Sequence, residues 1–147
     1  MRRIAVLLLI GMMSMSGCAK KVLVGKLPQI QGNDFSTVYI VRDYRLILAD
    51  VAFIIQLNGK DLVRIQNDEC VGFRIPTGES EIALSSTSRL TEQPVIKGIK
   101  FLAEKGREYF FHVRAEPGSS GSEFKQMTYD KWLERSKNCD WVVLEAR

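Results

Sequence analysis

The sequence predicts an all-β fold: an antiparallel β-sandwich of seven or eight strands with one short C-terminal helix. Three observations support it. From Thr37 onward, short runs rich in β-branched and aromatic residues recur, with a turn signal about every ten residues. Asn58-Gly59 stands between two such runs, and this pair suits a type I′ turn, which needs positive φ at both positions. A helical period occurs in one short stretch only, near the C-terminus.

Taken in order, the elements begin after a leader. Arg2 and Arg3 form a positive n-region, "IAVLLLIGMM" (4–13) an apolar h-region, and small residues follow. That is the layout of a secretory signal peptide, so residues 1–17 are set aside from the fold. A membrane-spanning helix is the rival reading. At ~1.5 Å per residue this run covers only about half of a ~30 Å hydrocarbon core. Residues 18–36 mix Gly, Pro and polar residues with scattered aliphatics and read as a tether, with a short strand at 22–24. The domain proper is residues 37–147.

"TVYIV" (37–41) is the first strand of that domain. "DVAFIIQL" (50–57) places Val51, Phe53, Ile55 and Leu57 on one face, and Ala52 and Ile54 make the other face apolar too. An apolar run on both faces predicts a central strand. "KDLVRI" (60–65) returns from the Asn58-Gly59 turn, with Ile55 expected opposite Leu62 and Ile54 opposite Val63. "CVGFRI" (70–75) ends at Pro76-Thr77-Gly78, and "SEIALS" (80–85) leads into a polar loop at 86–94. "VIKGIKFLAE" (95–104) and "REYFFHVRAE" (107–116) read as a second hairpin around Lys105-Gly106, followed by a flexible turn at 117–122. Thr128 is an N-cap candidate, Tyr129, Trp132 and Leu133 form one stripe, and Arg135 and Lys137 suit a helix C-terminus. Asn138 ends that helix, and "WVVLEA" (141–146) is the last strand.

"MSGC" (15–18) resembles the lipobox of bacterial lipoproteins. There, small residues precede a cysteine that is acylated and becomes the first residue of the mature chain. Ser16, Gly17 and Cys18 fit, while Met15 stands where Leu is usual. The resemblance implies a diacyl or triacyl (palmitate-bearing) Cys18 and firm membrane attachment, since stable anchoring takes more than one chain. Ordinary cleavage after Ala19 is the alternative and would leave a soluble secreted protein. Ala19 rather than Asp after the cysteine goes, in Gram-negative lipoproteins, with export to the outer membrane. The expected address is therefore the outer membrane facing the periplasm.

Losing residues 1–17 removes Arg2 and Arg3 and no acid, so the net charge falls from +4 to +2. No cluster of Lys and Arg with interleaved aromatics points to nucleic acid. Lys20 and Lys21 lie beside the anchor, where such a pair commonly just solvates a tether; contact with anionic headgroups, at about 1 kcal/mol each, is the alternative. With Cys18 acylated, Cys70 and Cys139 remain, an even number in an oxidising compartment. A disulfide is expected, with two unpaired thiols as the alternative. Closing a loop of about 70 residues stabilises a fold by up to ~4 kcal/mol on the chain-entropy model.

No catalytic residue, metal site or cofactor is expected. His112 is the only histidine, mid-strand among aromatics, and reads as packed. Ser122 stands where a Gly-x-Ser-x-Gly elbow at 118–122 would need glycine. Glu79, Glu81, Glu104, Glu108 and Glu116 read as solvated positions rather than an acid pair, and Asp34, Asp43, Asp50, Asp61 and Asp68 form no calcium loop. Tyr109, Phe110, Phe111, Tyr129, Trp132 and Trp141 read as core, with a sugar-binding groove as the functional alternative.

"LNGKDLVRI", "IPTGESEIAL" and "FLAEKGREYFFHVRAE", with a late helix and a nearby cysteine, resemble an uncharacterised bacterial family of small sandwich lipoproteins. They are also similar to PEGA-type surface domains, although Ile75-Pro76-Thr77-Gly78 departs from the Pro-Glu-Gly-Ala motif. The resemblance spans roughly residues 36–146 and carries no catalytic residues. It implies a non-enzymatic, membrane-anchored envelope protein that binds or scaffolds an envelope protein or polysaccharide partner. An envelope inhibitor or a carbohydrate-binding protein is the alternative.

Overall fold

The computed structural model describes residues 23–46, 48–86, 97–116, 122–142 and 144. Cys18, the polar loop after Ser86 and most of the 117–122 turn lie outside these residues. Nine strands and one helix follow in order: β1 (Phe35–Arg42), β2 (Phe53–Leu57), β3 (Lys60–Ile65), β4 (Glu69–Pro76), β5 (Gly78–Ser86), β6 (Lys97–Ala103), β7 (Glu108–Arg114), β8 (Glu123–Met127), α1 (Tyr129–Arg135) and β9 (Asp140–Val142). A five-stranded sheet in the order β8-β7-β1-β4-β9 packs on a four-stranded sheet in the order β3-β2-β5-β6.

Strand alternation builds the space between the sheets. Val38 and Ile40 of β1, Val71, Phe73 and Ile75 of β4, and Tyr109, Phe111 and Val113 of β7 face Phe53 and Ile55 of β2 and Ile82 and Leu84 of β5. β2 is central, as its two apolar faces predict.

Four details depart from the sequence reading. The described residues hold nine strands, because "EFKQM" forms β8 with Phe124 as its only buried side chain. The five-stranded sheet is mixed: β1 pairs parallel with β7, and β4 parallel with β9. Residues 97–103 and 108–114 do not form a hairpin, since β6 pairs with β5 and β7 lies in the other sheet. Tyr109 turns that corner: its hydroxyl donates to Leu102 O at 2.7 Å and accepts from Glu104 N at 3.0 Å. Gly106 N meanwhile donates to Phe35 O at 2.8 Å, which carries the chain across to β1.

The fourth departure is the register of the β2–β3 hairpin. Asn58 and Gly59 adopt the positive φ angles of 50° and 75° that their type I′ turn needs. Ile55, however, lies opposite Val63 rather than Leu62, because a bulge between Ile55 and Gln56 leaves Leu62 as the extra residue. The bulge lets the adjacent apolar pair Leu62 and Val63 both be buried, which plain alternation forbids.

That bulge also receives the N-terminal arm. Leu62 O accepts from Val24 N at 3.0 Å and Gly25 N at 3.1 Å, and Leu23 bridges Val63. A Cβ on Gly25 would stand 1.8 Å from Asp61 O, so only glycine permits this approach. Leu27 packs against the core. Within the segment read as a tether with a short strand at 22–24, Leu23 to Gly25 and Leu27 are thus held on the domain.

Candidate functional site

The outer face of the five-stranded sheet carries most of the chemistry-bearing side chains. A second, smaller core of Val41, Cys70, Phe110 and Trp132 lies there, apart from the main one. α1 supplies Trp132, whose ring stands 5.2 Å from Phe110 and 5.4 Å from Tyr39. α1 is short: Asp130 sits in its first turn and Arg135 in its last, and the chain then tightens to a 3₁₀ turn at Ser136–Asn138. Thr128 is the N-cap by backbone conformation but makes no side-chain cap bond.

Cys139 follows this turn and is disulfide-bonded to Cys70 of β4, with Cα atoms 5.7 Å apart. Trp141 pairs with Cys70 in the β4–β9 register, so the bond and the ladder fix one short strand together. The two cysteines expected to pair do so, beneath Trp132.

His112 faces the same side and is fully buried. Its Nε2 lies 2.9 Å from Asp43 Oδ2, and Arg135 Nη1 lies 2.6 Å from the same oxygen. A carboxylate only accepts, so Nε2 carries the proton, and Arg135 and His112 are two donors on one acceptor. Their 3.4 Å approach is not a bond between them. His112 Nδ1 has no hydrogen-bond partner among the described residues. Burial alone pushes the Asp43 carboxyl up, but the hydrogen bonds and charges of His112 and Arg135 together outweigh it and hold the carboxyl below its ordinary value. The only histidine thus joins β7, the end of β1 and α1.

The ionised Asp43 contributes stability that is complete well above 3.8, the ordinary value, and is lost as pH falls through the lower folded value. Asp43→Asn should therefore unfold at lower urea than the parent at neutral pH, with the gap closing in acid. A gap independent of pH would contradict this assignment.

A shallow depression of about 330 Å³ opens beside this core, over Tyr39, Gly72 and Trp141, with Thr37 and Arg74 on its lining. Trp141 is 52% exposed and stands edge-on to Tyr39 at 6.4 Å. The Tyr39 hydroxyl donates to Glu108 at 3.2 Å. The exposed indole can stack on an apolar ring face, while the Arg74 guanidinium lies 4.3 Å over the Phe35 ring. A second depression, between β8 and α1, has Lys125, Lys131 and Arg135 on its lining, but Lys125 pairs with Glu123 and Arg135 with Asp43.

The remaining candidates from the sequence are committed to packing or to polar pairs. Tyr109 and Phe111 belong to the inter-sheet core, and Phe110 to the smaller one. Glu104 pairs with Arg107, Glu116 with Arg114, and Glu108 receives Tyr39. Among the described residues no three His, Cys, Asp or Glu gather as a metal site, and no helix is long and apolar enough to cross a membrane.

Sequence reasoning missed Arg42, at the end of β1. It is fully buried, donates from Nη1 to Ile65 O at 3.3 Å and from Nη2 to Leu48 O at 3.2 Å, and lies 4.7 Å from the centre of the Phe53 ring. Burial lowers its pKa to about 10, while Glu69 acts in the other direction. It stays charged at neutral pH.

Fold and surface together define a two-sheet β-sandwich with a helix and a disulfide closing one outer face. No protein-family model, curated protein or solved structure was found to match the chain.

Proposed function

We propose that this chain is a lipid-anchored, non-enzymatic protein of the bacterial cell envelope. Its β-sandwich serves as a binding or scaffolding domain, held through acylated Cys18 at the outer membrane and facing the periplasm. The observation that carries the reading is the run from the positive n-region to Ser16-Gly17-Cys18, placed a few residues before the docked arm at Leu23. His112, the one candidate for histidine chemistry, is fully buried and committed to Asp43, which favours a structural role over a catalytic one.

Exchange of Cys18 for serine tests the anchor. In cell fractions the parent should pellet with membranes and extract with detergent, whereas Cys18→Ser should lose detergent-dependent extraction. Identical fractionation of the two would overturn the reading. The depression over Trp141 favours a carbohydrate-binding role as the second reading. It predicts that Trp141→Ala abolishes retention on envelope polysaccharide, and unchanged retention would remove it.

A further inference from the structure

We propose that the end of the sandwich bearing Tyr44, Arg45 and Leu46 is a membrane-contact surface that rests on the lipid bilayer when the chain is held at Cys18. The proposal rests on the acylation of Cys18 and adds where on the domain the bilayer is met.

Direction is the first argument. The arm runs antiparallel to β3, with Leu23 opposite Val63 and Gly25 beside Asp61. Followed backward at Leu23, the backbone thus points to the end of β3 at Ile65 and Asn67. Four residues, 19–22, separate Cys18 from Leu23. Even fully extended, the chain leaves Cys18 within about 18 Å of Leu23. Continued in the direction set by Leu23 to Gly25, so short a link brings a lipid at Cys18 to this end of the domain rather than the far end.

The side chains displayed there supply the second argument. The Asn67 side chain clasps the backbone of Arg45, accepting from its N at 2.9 Å and donating to its O at 3.1 Å. On either side of Arg45 stand Tyr44, 60% exposed, and Leu46, 79% exposed. Leu46 is the most exposed large hydrophobic among the described residues. Tyrosine suits the membrane–water interface, where its ring meets acyl chains and its hydroxyl meets headgroups.

Bracing is the third. Arg42 ties Leu48 and Ile65 from below, and Val51 N donates to Leu48 O at 3.2 Å. The loop is held at Leu48, which packs against the core, while Tyr44 and Leu46 stand outward. Charge at this end is mixed among the described residues: Arg45 lies 4.0 Å from Glu116, and Arg64 stands with Asp50 and Asp68. Apolar insertion rather than a basic field carries the contact.

The test uses the full chain purified from membranes. It is reconstituted into vesicles of phosphatidylethanolamine and phosphatidylglycerol that contain phosphatidylcholine brominated high on its acyl chains. Leu46→Trp, Tyr44→Trp and Leu102→Trp are each read as a difference from the parent. Leu102 is also exposed but lies beside Glu79, at the opposite end of the sheet from Ile65. Bromolipid should quench the added emission of Leu46→Trp and Tyr44→Trp several-fold more than that of Leu102→Trp. Equal quenching in a chain whose mass shows acylated Cys18 overturns the contact surface and leaves the anchor standing. A mass showing unmodified Cys18, or none, overturns the anchor and the surface with it.

Discussion

Cys70→Ser combined with Cys139→Ser should lower the stability of the domain by about 2–5 kcal/mol, the usual cost of removing a native disulfide from a small secreted domain. The bond spans 69 residues of sequence, so the chain it constrains when unfolded is long. Its native surroundings point the same way. β9 has only three residues; Asp140 N donates to Asp68 O at 2.8 Å and Val142 packs against the core, and the disulfide ties this short strand to β4 covalently. Trp132 and Phe110 close over the bond and would lose their packing with it. Urea unfolding followed by tryptophan emission measures the effect, since Trp132 and Trp141 both border Cys139. Equal midpoints for the parent and the double variant would contradict it.

Arg42→Ala should cost about 3–5 kcal/mol, the range for breaking a buried charge network by removing one partner. The carbonyls of Ile65 and Leu48 lose their donor, and Glu69 loses the cation beside it. Arg42→Lys should restore only part of the loss. One ammonium on a flexible stem cannot copy a planar guanidinium that donates from two nitrogens while lying over Phe53. The loop carrying Tyr44 and Leu46 should exchange its amides faster in both variants. A loss below about 1 kcal/mol for Arg42→Ala would place it among ordinary surface substitutions and contradict its role.

What was legible in the sequence was local. Alternation marked β1, β2, β4 and β7, Asn58-Gly59 marked its turn, and the both-faced apolarity of β2 marked it as central. Beyond the β2–β3 hairpin that Asn58-Gly59 marks, pairing partners were not legible, because alternation is the same in a parallel and an antiparallel ladder. Lys105-Gly106 looks like a hairpin turn, and only the contacts of Tyr109 with Leu102 and Glu104 show the chain changing sheets. β8 escaped because one buried Phe124 among polar residues makes a weak strand signal.

The outer face shows the same division. The even cysteine count pointed to Cys70 and Cys139, but nothing in the sequence joins Asp43 to Arg135, 92 positions away. Arg42 reads in sequence as an ordinary strand end. Its burial follows from the meeting of Ile65, Leu48 and Phe53 around it, which is a property of the assembled sandwich.

The central claim is the anchor, and the intact mass of the protein purified from membranes tests it most directly. The account predicts a chain that begins at Cys18 and carries the added mass of two or three acyl groups. An unmodified chain beginning at Lys20 would contradict it.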